Sequence, residues 1–345
     1  MSFVQSLSSS MGLAVGDPAF WLPLLLILIV TLLLLCFVLL DGIASGVGIL
    51  LPWFKGNDRQ DLLALMSKWS RINEVWLPLL LLVSMGAFPF VWSAISENLY
   101  LPLLLLVSGL LGRSFSQRLL ASQPKASYGW VYTLASVLSI LGFGLLTAEY
   151  ATGQRFYISL GVFVLLITLS TLGGFALLGA SWLILLIRDP IRQKVARLAA
   201  FCARWSAAGM VGLSFTLALA NPAIFYRWTH GDNLSVALPW WLVMLLGFVW
   251  LDRCLRRLAV GEARRCRFMV LPLTGLLFVL MFAGVVYSFF PFLVLDELTV
   301  WDAAAPLESL YAVAAVTAAL LPVVLIWQVL ALWRFVRQCR RSSAP

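Results

Sequence analysis

The sequence predicts an all-α integral membrane protein with nine transmembrane helices, its N-terminus outside and its C-terminus cytoplasmic. Three observations carry that prediction. Of 345 residues, 62% are hydrophobic and 11% charged, where soluble domains run to about 45–50% and about 25%. Nine stretches approach the roughly 20 apolar residues that a helix needs to cross the hydrocarbon core. The basic residues fall on one side of those stretches, as cytoplasmic loops collect Lys and Arg.

In order, the stretches are residues 20–40, 76–95, 101–111, 129–148, 159–187, 206–220, 236–251, 269–290 and 310–333, the third being short unless it continues to Leu120. No polar block between them is long enough to fold separately, so residues 1–345 are expected to form one polytopic domain. With the N-terminus outside, every one of the 24 Lys and Arg residues except Arg155 and Arg227 lies in a cytoplasmic segment. A different number of spans would scramble that division. Residues 1–19 contain no Lys or Arg and the apolar run after them is long, so this segment reads as a retained helix rather than a cleaved signal peptide. No sustained internal repeat is visible, which gives no support to an inverted-repeat transporter.

So much apolar surface excludes a secreted domain, a cytosolic enzyme and a disordered chain. The net charge of +9 is divided among short loops facing a bilayer, which argues for anionic lipid headgroups as neighbours and against nucleic acid. Cys36, Cys202, Cys254, Cys266 and Cys339 show no CxxC spacing, and all but Cys36 lie in cytoplasmic segments where thiols stay reduced. The one histidine, His230, falls in an outside loop. A chain so poor in histidine has little means of building a His-rich metal site or a bis-His heme site, so no metal or heme ligand is assigned to it. Neither a Walker A sequence nor a G-x-S-x-G elbow occurs.

Polar residues in apolar surroundings are costly and tend to mark function. Asp41 interrupts an apolar run that extends from Phe20 to Phe54, about 52 Å if helical throughout. The expectation is therefore a bend or an end near Asp41, with Gly42, Gly46 and Gly48 supplying the freedom. Gly42 and Gly46 also form a G-x-x-x-G, which permits close helix packing. A second polar cluster, Arg71, Asn73 and Glu74, precedes the second span. Both clusters sit at the cytoplasmic border, where Asp41 is within reach of Arg71 or Asn73. Two readings stand side by side: a proton or ion path, or an interfacial salt bridge with helix capping. The 15 Trp residues suit interfacial aromatic belts.

Several stretches resemble subunit II of the cytochrome bd-type quinol oxidases. Asp41-Gly42-Ile43-Ala44-Ser45-Gly46-Val47-Gly48 is similar to the family's D-G-F-D-x-G-V-G, and Asn73-Glu74-Val75-Trp76-Leu77 to its N-[EQ]-V-W-L. Gly86-Ala87-Phe88-Pro89 and Tyr100-Leu101-Pro102-Leu103 resemble its second and third helices. Phe115 and Arg118 fit F-[ED]-[FY]-R, and Gly179-Ala180-Ser181-Trp182-Leu183 fits G-A-x-[WY]-L. Phe290-Pro291 with Leu298-Thr299-Val300-Trp301-Asp302-Ala303 resembles the outer loop before the last helix. The matches come in family order. Three carboxylates of the pattern are missing: Ala44, Arg71 and Ser116 stand in their places.

The resemblance implies a heme-free subunit in a bacterial cytoplasmic (inner) membrane. Its partner would be subunit I, which carries b-type and d-type hemes, and the complex would couple quinol oxidation to reduction of dioxygen to water. A bound quinone and membrane lipids are further expected ligands. No catalytic residue is expected in this chain, and the lost carboxylates imply an altered proton path. Two other readings are a small-solute or ion transporter using Asp41, Arg71 and Glu74, and a divergent scaffold or assembly paralogue without oxidase activity.

Overall fold

Pro18–Leu50 form one continuous helix, α1, in the computed structural model. The structure describes residues 12, 14–73, 75–122, 126–151, 158–187, 189, 191–220, 222–231, 233–262, 264–294 and 297–342. At 1.5 Å per residue α1 is about 50 Å long, well beyond a hydrocarbon core of about 30 Å. The helix does not end near Asp41 as one expectation had it, but continues to Leu50. Its glycines lie inside an intact helical hydrogen-bond ladder, where their missing side chains make room for neighbours instead of freeing the backbone. The helix stops where Pro52 enters a 3-10 turn, Leu51–Trp53, because proline brings no N–H to the ladder.

Helix α2 (Gly56–Asn73) starts at Gly56, whose φ of 58° suits a residue without Cβ, and is too polar to be a span. The second apolar stretch, expected as one helix over 76–95, is broken into α3 (Trp76–Ala87) and α4 (Pro89–Asn98), which meet at 105°. The cause is local. Proline disfavours the helical region for the residue before it, and Phe88 takes φ −133°, ψ 61° while its N–H still bonds to the Ser84 carbonyl at 2.9 Å. The remaining helices are α5 (Tyr100–Ser122), α6 (Ala126–Ala151), α7 (Ile158–Leu186), α8 (Ile191–Ala220), the short α9 (Pro222–Thr229), α10 (Asn233–Ala259), α11 (Arg267–Phe289) and α12 (Leu307–Ser342). Helix α5 runs on through Leu120, which gives the third stretch its full length. Between α11 and α12 a small antiparallel hairpin, β1 (Phe292–Val294) and β2 (Leu298–Thr299), departs from the expected all-helical composition.

Among the described residues, eight helices are long and apolar enough to cross a membrane, and the bent α3–α4 pair raises the number to nine if it is counted as one span. Rows of exposed Leu and Val, such as Leu25, Leu28 and Leu32 on α1 and Leu242, Leu246 and Val249 on α10, give these helices the outward face that lipid favours.

The chain forms two compact units. The first comprises Met1–Val38, Lys68–Glu97 and Phe290–Pro345. In it, a Cβ added to Gly86 of α3 would lie 2.8 Å from Val313 of α12, and Trp69 meets Phe335 edge to face at 5.4 Å. The Ala305 N–H bonds to the Ala87 carbonyl at 2.9 Å, satisfying an acceptor at the end of α3 that the break exposes. The second unit comprises Leu39–Ser67 and Asn98–Phe289. Its antiparallel pair α5–α6 is drawn close by glycines: a Cβ on Gly109 would stand 2.3 Å from the Ser139 nitrogen, and one on Gly142 2.3 Å from the Leu106 nitrogen.

Candidate functional site

Three side chains close a ring inside the second unit. Arg113, from the middle of α5, donates through Nη2 to Asp41 Oδ1 of α1 and through Nη1 to Ser45 Oγ, one turn further along. Ser45 Oγ in turn donates to Asp41 Oδ2 at 3.2 Å. Only 6% of the Arg113 side chain and 16% of the Asp41 side chain are exposed. Charges this deeply buried persist only when paired and hydrogen-bonded, and here both carboxylate oxygens have a partner.

The helices around the ring are held at short range by small residues. A Cβ on Gly46 would lie 1.9 Å from the Phe175 carbonyl oxygen of α7, and one on Gly179 would lie 2.4 Å from the Gly46 carbonyl carbon. Gly42 lies against the Phe175 ring, and Gly48 against Ser136 of α6. Tyr132 of α6, fully buried, donates through Oη to the Ala44 carbonyl at 3.1 Å. Backbone meets backbone where α1 crosses α7, a closeness that glycine alone permits.

Arg113 is the partner that sequence reasoning misses. It counts there as one more loop cation, with Arg71 and Asn73 named for Asp41. The signal was present: the third stretch reaches a full span only by extending past Arg113 to Leu120, which puts a guanidinium inside an apolar helix. Asn73 is buried at the end of α2, whereas Glu74 and the side chain of Arg71 lie outside the described residues. Ser116, one turn after Arg113, is buried and donates back to the Arg113 carbonyl at 2.8 Å. Arg118 is exposed on the same helix.

The other residues singled out by the motifs are packing and turn residues. Trp76, Phe88 and Trp182 are buried, and Pro89 is exposed at the α3–α4 break. Asp302 Oδ2 accepts from Thr299 Oγ1 at 2.5 Å and from the Thr299 N–H at 3.2 Å, closing the turn after β2. Trp301 stacks on Phe20 at 5.5 Å and donates from Nε1 to the Phe20 carbonyl at 3.1 Å. Trp301→Phe keeps the stack and removes that bond. It should cost about 1 kcal/mol, read as a lower thermal midpoint of the purified protein. His230 stacks on Tyr226 at 4.1 Å and shares a 3.1 Å hydrogen bond with its hydroxyl, in an exposed position. Among the described residues, no three His, Cys, Asp or Glu side chains gather as a metal-ligand group would require.

A family model for cytochrome bd terminal oxidase subunit II matches residues 22–335, nearly the whole chain and every helix above except the first four residues of α1 and the last seven of α12. The chain belongs to that family. No curated protein matches it in sequence. The structure of bd oxidase from Geobacillus thermodenitrificans contains a similar chain, with a TM-score of 0.70 and 17% identity over 92% of this chain and 98% of that one. At such low identity the likeness is one of fold. Within this member of the family, Asp41 is met by the buried Arg113.

Proposed function

We propose that the chain is the heme-free subunit II of a membrane quinol oxidase in the bacterial cytoplasmic membrane. It packs against and stabilises a subunit I that bears b-type and d-type hemes. Those hemes supply the electron transfer and the oxygen chemistry. This chain supplies apolar helix surface, tightly packed glycine crossings and a neutralised polar centre. The observation that carries the reading is the family match over residues 22–335. The orientation we propose, N-terminus outside and C-terminus cytoplasmic, counts α3–α4 as the second of nine spans. An even number would leave both termini on one side and break the division of basic residues.

The ring at Asp41 supports a structural role over proton relay. A relay needs a carboxyl group that takes up a proton and hands it to the next carrier. Here one oxygen is held by a guanidinium, which does not deprotonate in proteins, and the other by Ser45. We propose that proton uptake runs through subunit I. Asp41→Asn, combined with Glu74→Gln, should leave quinol-driven oxygen consumption per heme within about twofold of wild type. A collapse of turnover with the hemes intact would show a route through this chain.

Tagged purification from native membranes tests the function itself. The expected result is co-purification of a second membrane chain with the visible absorbance of b-type and d-type hemes. A colourless preparation that moves a small solute across vesicles would overturn it in favour of a transporter.

A further inference from the structure

The second unit contains a cavity of about 180 Å³ between α8, α9, α10 and α11, lined by Leu213, Leu217, Met244, Met281, Trp228 and Trp240 among others. For scale, an apolar cavity of about 150 Å³ holds a benzene-sized molecule. Its polar wall is small and specific. Ser288 Oγ accepts from Trp228 Nε1 at 2.9 Å and donates to the Gly284 carbonyl at 2.8 Å, so it is spent. Trp240 Nε1 leans over Gly284, 3.5 Å from where a Cβ would stand, and meets no acceptor among the described residues. In water such an indole N–H is satisfied at no cost, whereas inside a membrane it needs an acceptor brought by something else.

Depth and charge narrow what that is. Trp240 lies about 10 Å along α10 from its start at Asn233. In the orientation proposed above, on which this inference rests, that start is at the outer surface, and Trp240 is therefore near the glycerol-ester level of the outer leaflet, with Met244 deeper among acyl chains. At the rim, Arg227 donates through Nη1 to the Tyr287 carbonyl at 3.2 Å, next to Ser288 of the cavity wall. It is one of only two basic residues that the charge pattern leaves outside. Phe225, another lining residue, is exposed, and the exposed Leu238 and Leu242 extend the apolar surface along α10.

We infer that this cavity is a phospholipid site of the outer leaflet. An acyl segment fills the space among Leu213, Leu217, Met244 and Met281. An ester carbonyl accepts from Trp240 Nε1, and the phosphate lies by the Arg227 guanidinium.

The test is native mass spectrometry of the purified assembly, delipidated and then titrated with dioleoyl phosphatidylglycerol. Wild type should retain one phospholipid that Trp240→Phe binds about fivefold more weakly, the loss of one hydrogen bond of about 1 kcal/mol. Met281→Trp, which fills the space, should abolish that occupancy, and Arg227→Gln should weaken it. Equal occupancy in wild type and Trp240→Phe would overturn the inference, as would a stoichiometric isoprenoid quinone recovered in place of lipid. The heme absorbance of the same preparation reports separately on the oxidase reading, and protease access to the C-terminus on the orientation.

Discussion

Gly46→Ala should prevent α1 and α7 from packing. The added methyl would stand 1.9 Å from a backbone oxygen and 2.8 Å from the Gly179 nitrogen, and neither can swing aside as a side-chain tip would. The helices must separate, and a cost of about 3 kcal/mol or more follows from overpacking against rigid neighbours. Gly179→Ala should cost a similar amount, since it meets the same crossing from the other side. The control is Gly275→Ala on α11, where nothing lies within 4 Å of the new Cβ. There the better helix propensity of alanine, worth about 1 kcal/mol, should leave stability equal or higher. Thermal unfolding of the purified variants in one detergent reads all three. Near wild-type midpoints for Gly46→Ala would mean that this crossing does not hold the fold.

Arg113→Ala should destabilise the protein by about 3–5 kcal/mol, because it strands a buried carboxylate. The informative comparison is the double variant Asp41→Leu with Arg113→Met. Replacing a buried pair by apolar residues of similar size is often neutral or stabilising, so the double variant should recover most of what Arg113→Ala loses. A cycle completed with the two single variants measures the coupling, expected above about 2 kcal/mol for groups in direct contact. Additive single losses would show that Asp41 and Arg113 do not depend on each other. Ser45→Ala should have a smaller effect, since it removes one hydroxyl from the ring while the ion pair remains.

The membrane-spanning framework was legible because it depends on a one-dimensional property: apolar runs of sufficient length mark helices wherever lipid is the solvent. What escaped depends on local stereochemistry or on partners far along the chain. Hydropathy over residues 76–95 does not register that Pro89 disfavours helical geometry at Phe88. The charged start of α8, with Arg192, Lys194, Arg197 and Arg204 in the helix, reads as a loop by charge. Yet Ala196, Ala199, Ala200 and Ala203 are buried along one face at helical spacing, a periodicity that was there to be read. At the polar centre, Asp41 stood out as a carboxylate in an apolar run. Its partner did not, because Arg113 is 72 residues away and a span boundary drawn too early had put it outside the membrane. The glycines of α1 were visible as a motif, but the neighbours they admit, Phe175 and Gly179 in this case, lie too far along the chain for the motif to name.

The link between Trp301 and Phe20 joins residues 281 positions apart. At a synthesis rate of about 5–20 residues per second, tens of seconds pass between the making of Phe20 and that of Trp301. Throughout that interval Phe20 lacks the stacked Trp301 ring, and its carbonyl lacks the second donor that the Trp301 indole supplies. Every nascent intermediate shorter than about three hundred residues therefore carries an unfinished first helix, and any terminating lesion before Trp301 leaves the product permanently open at the end that was made first.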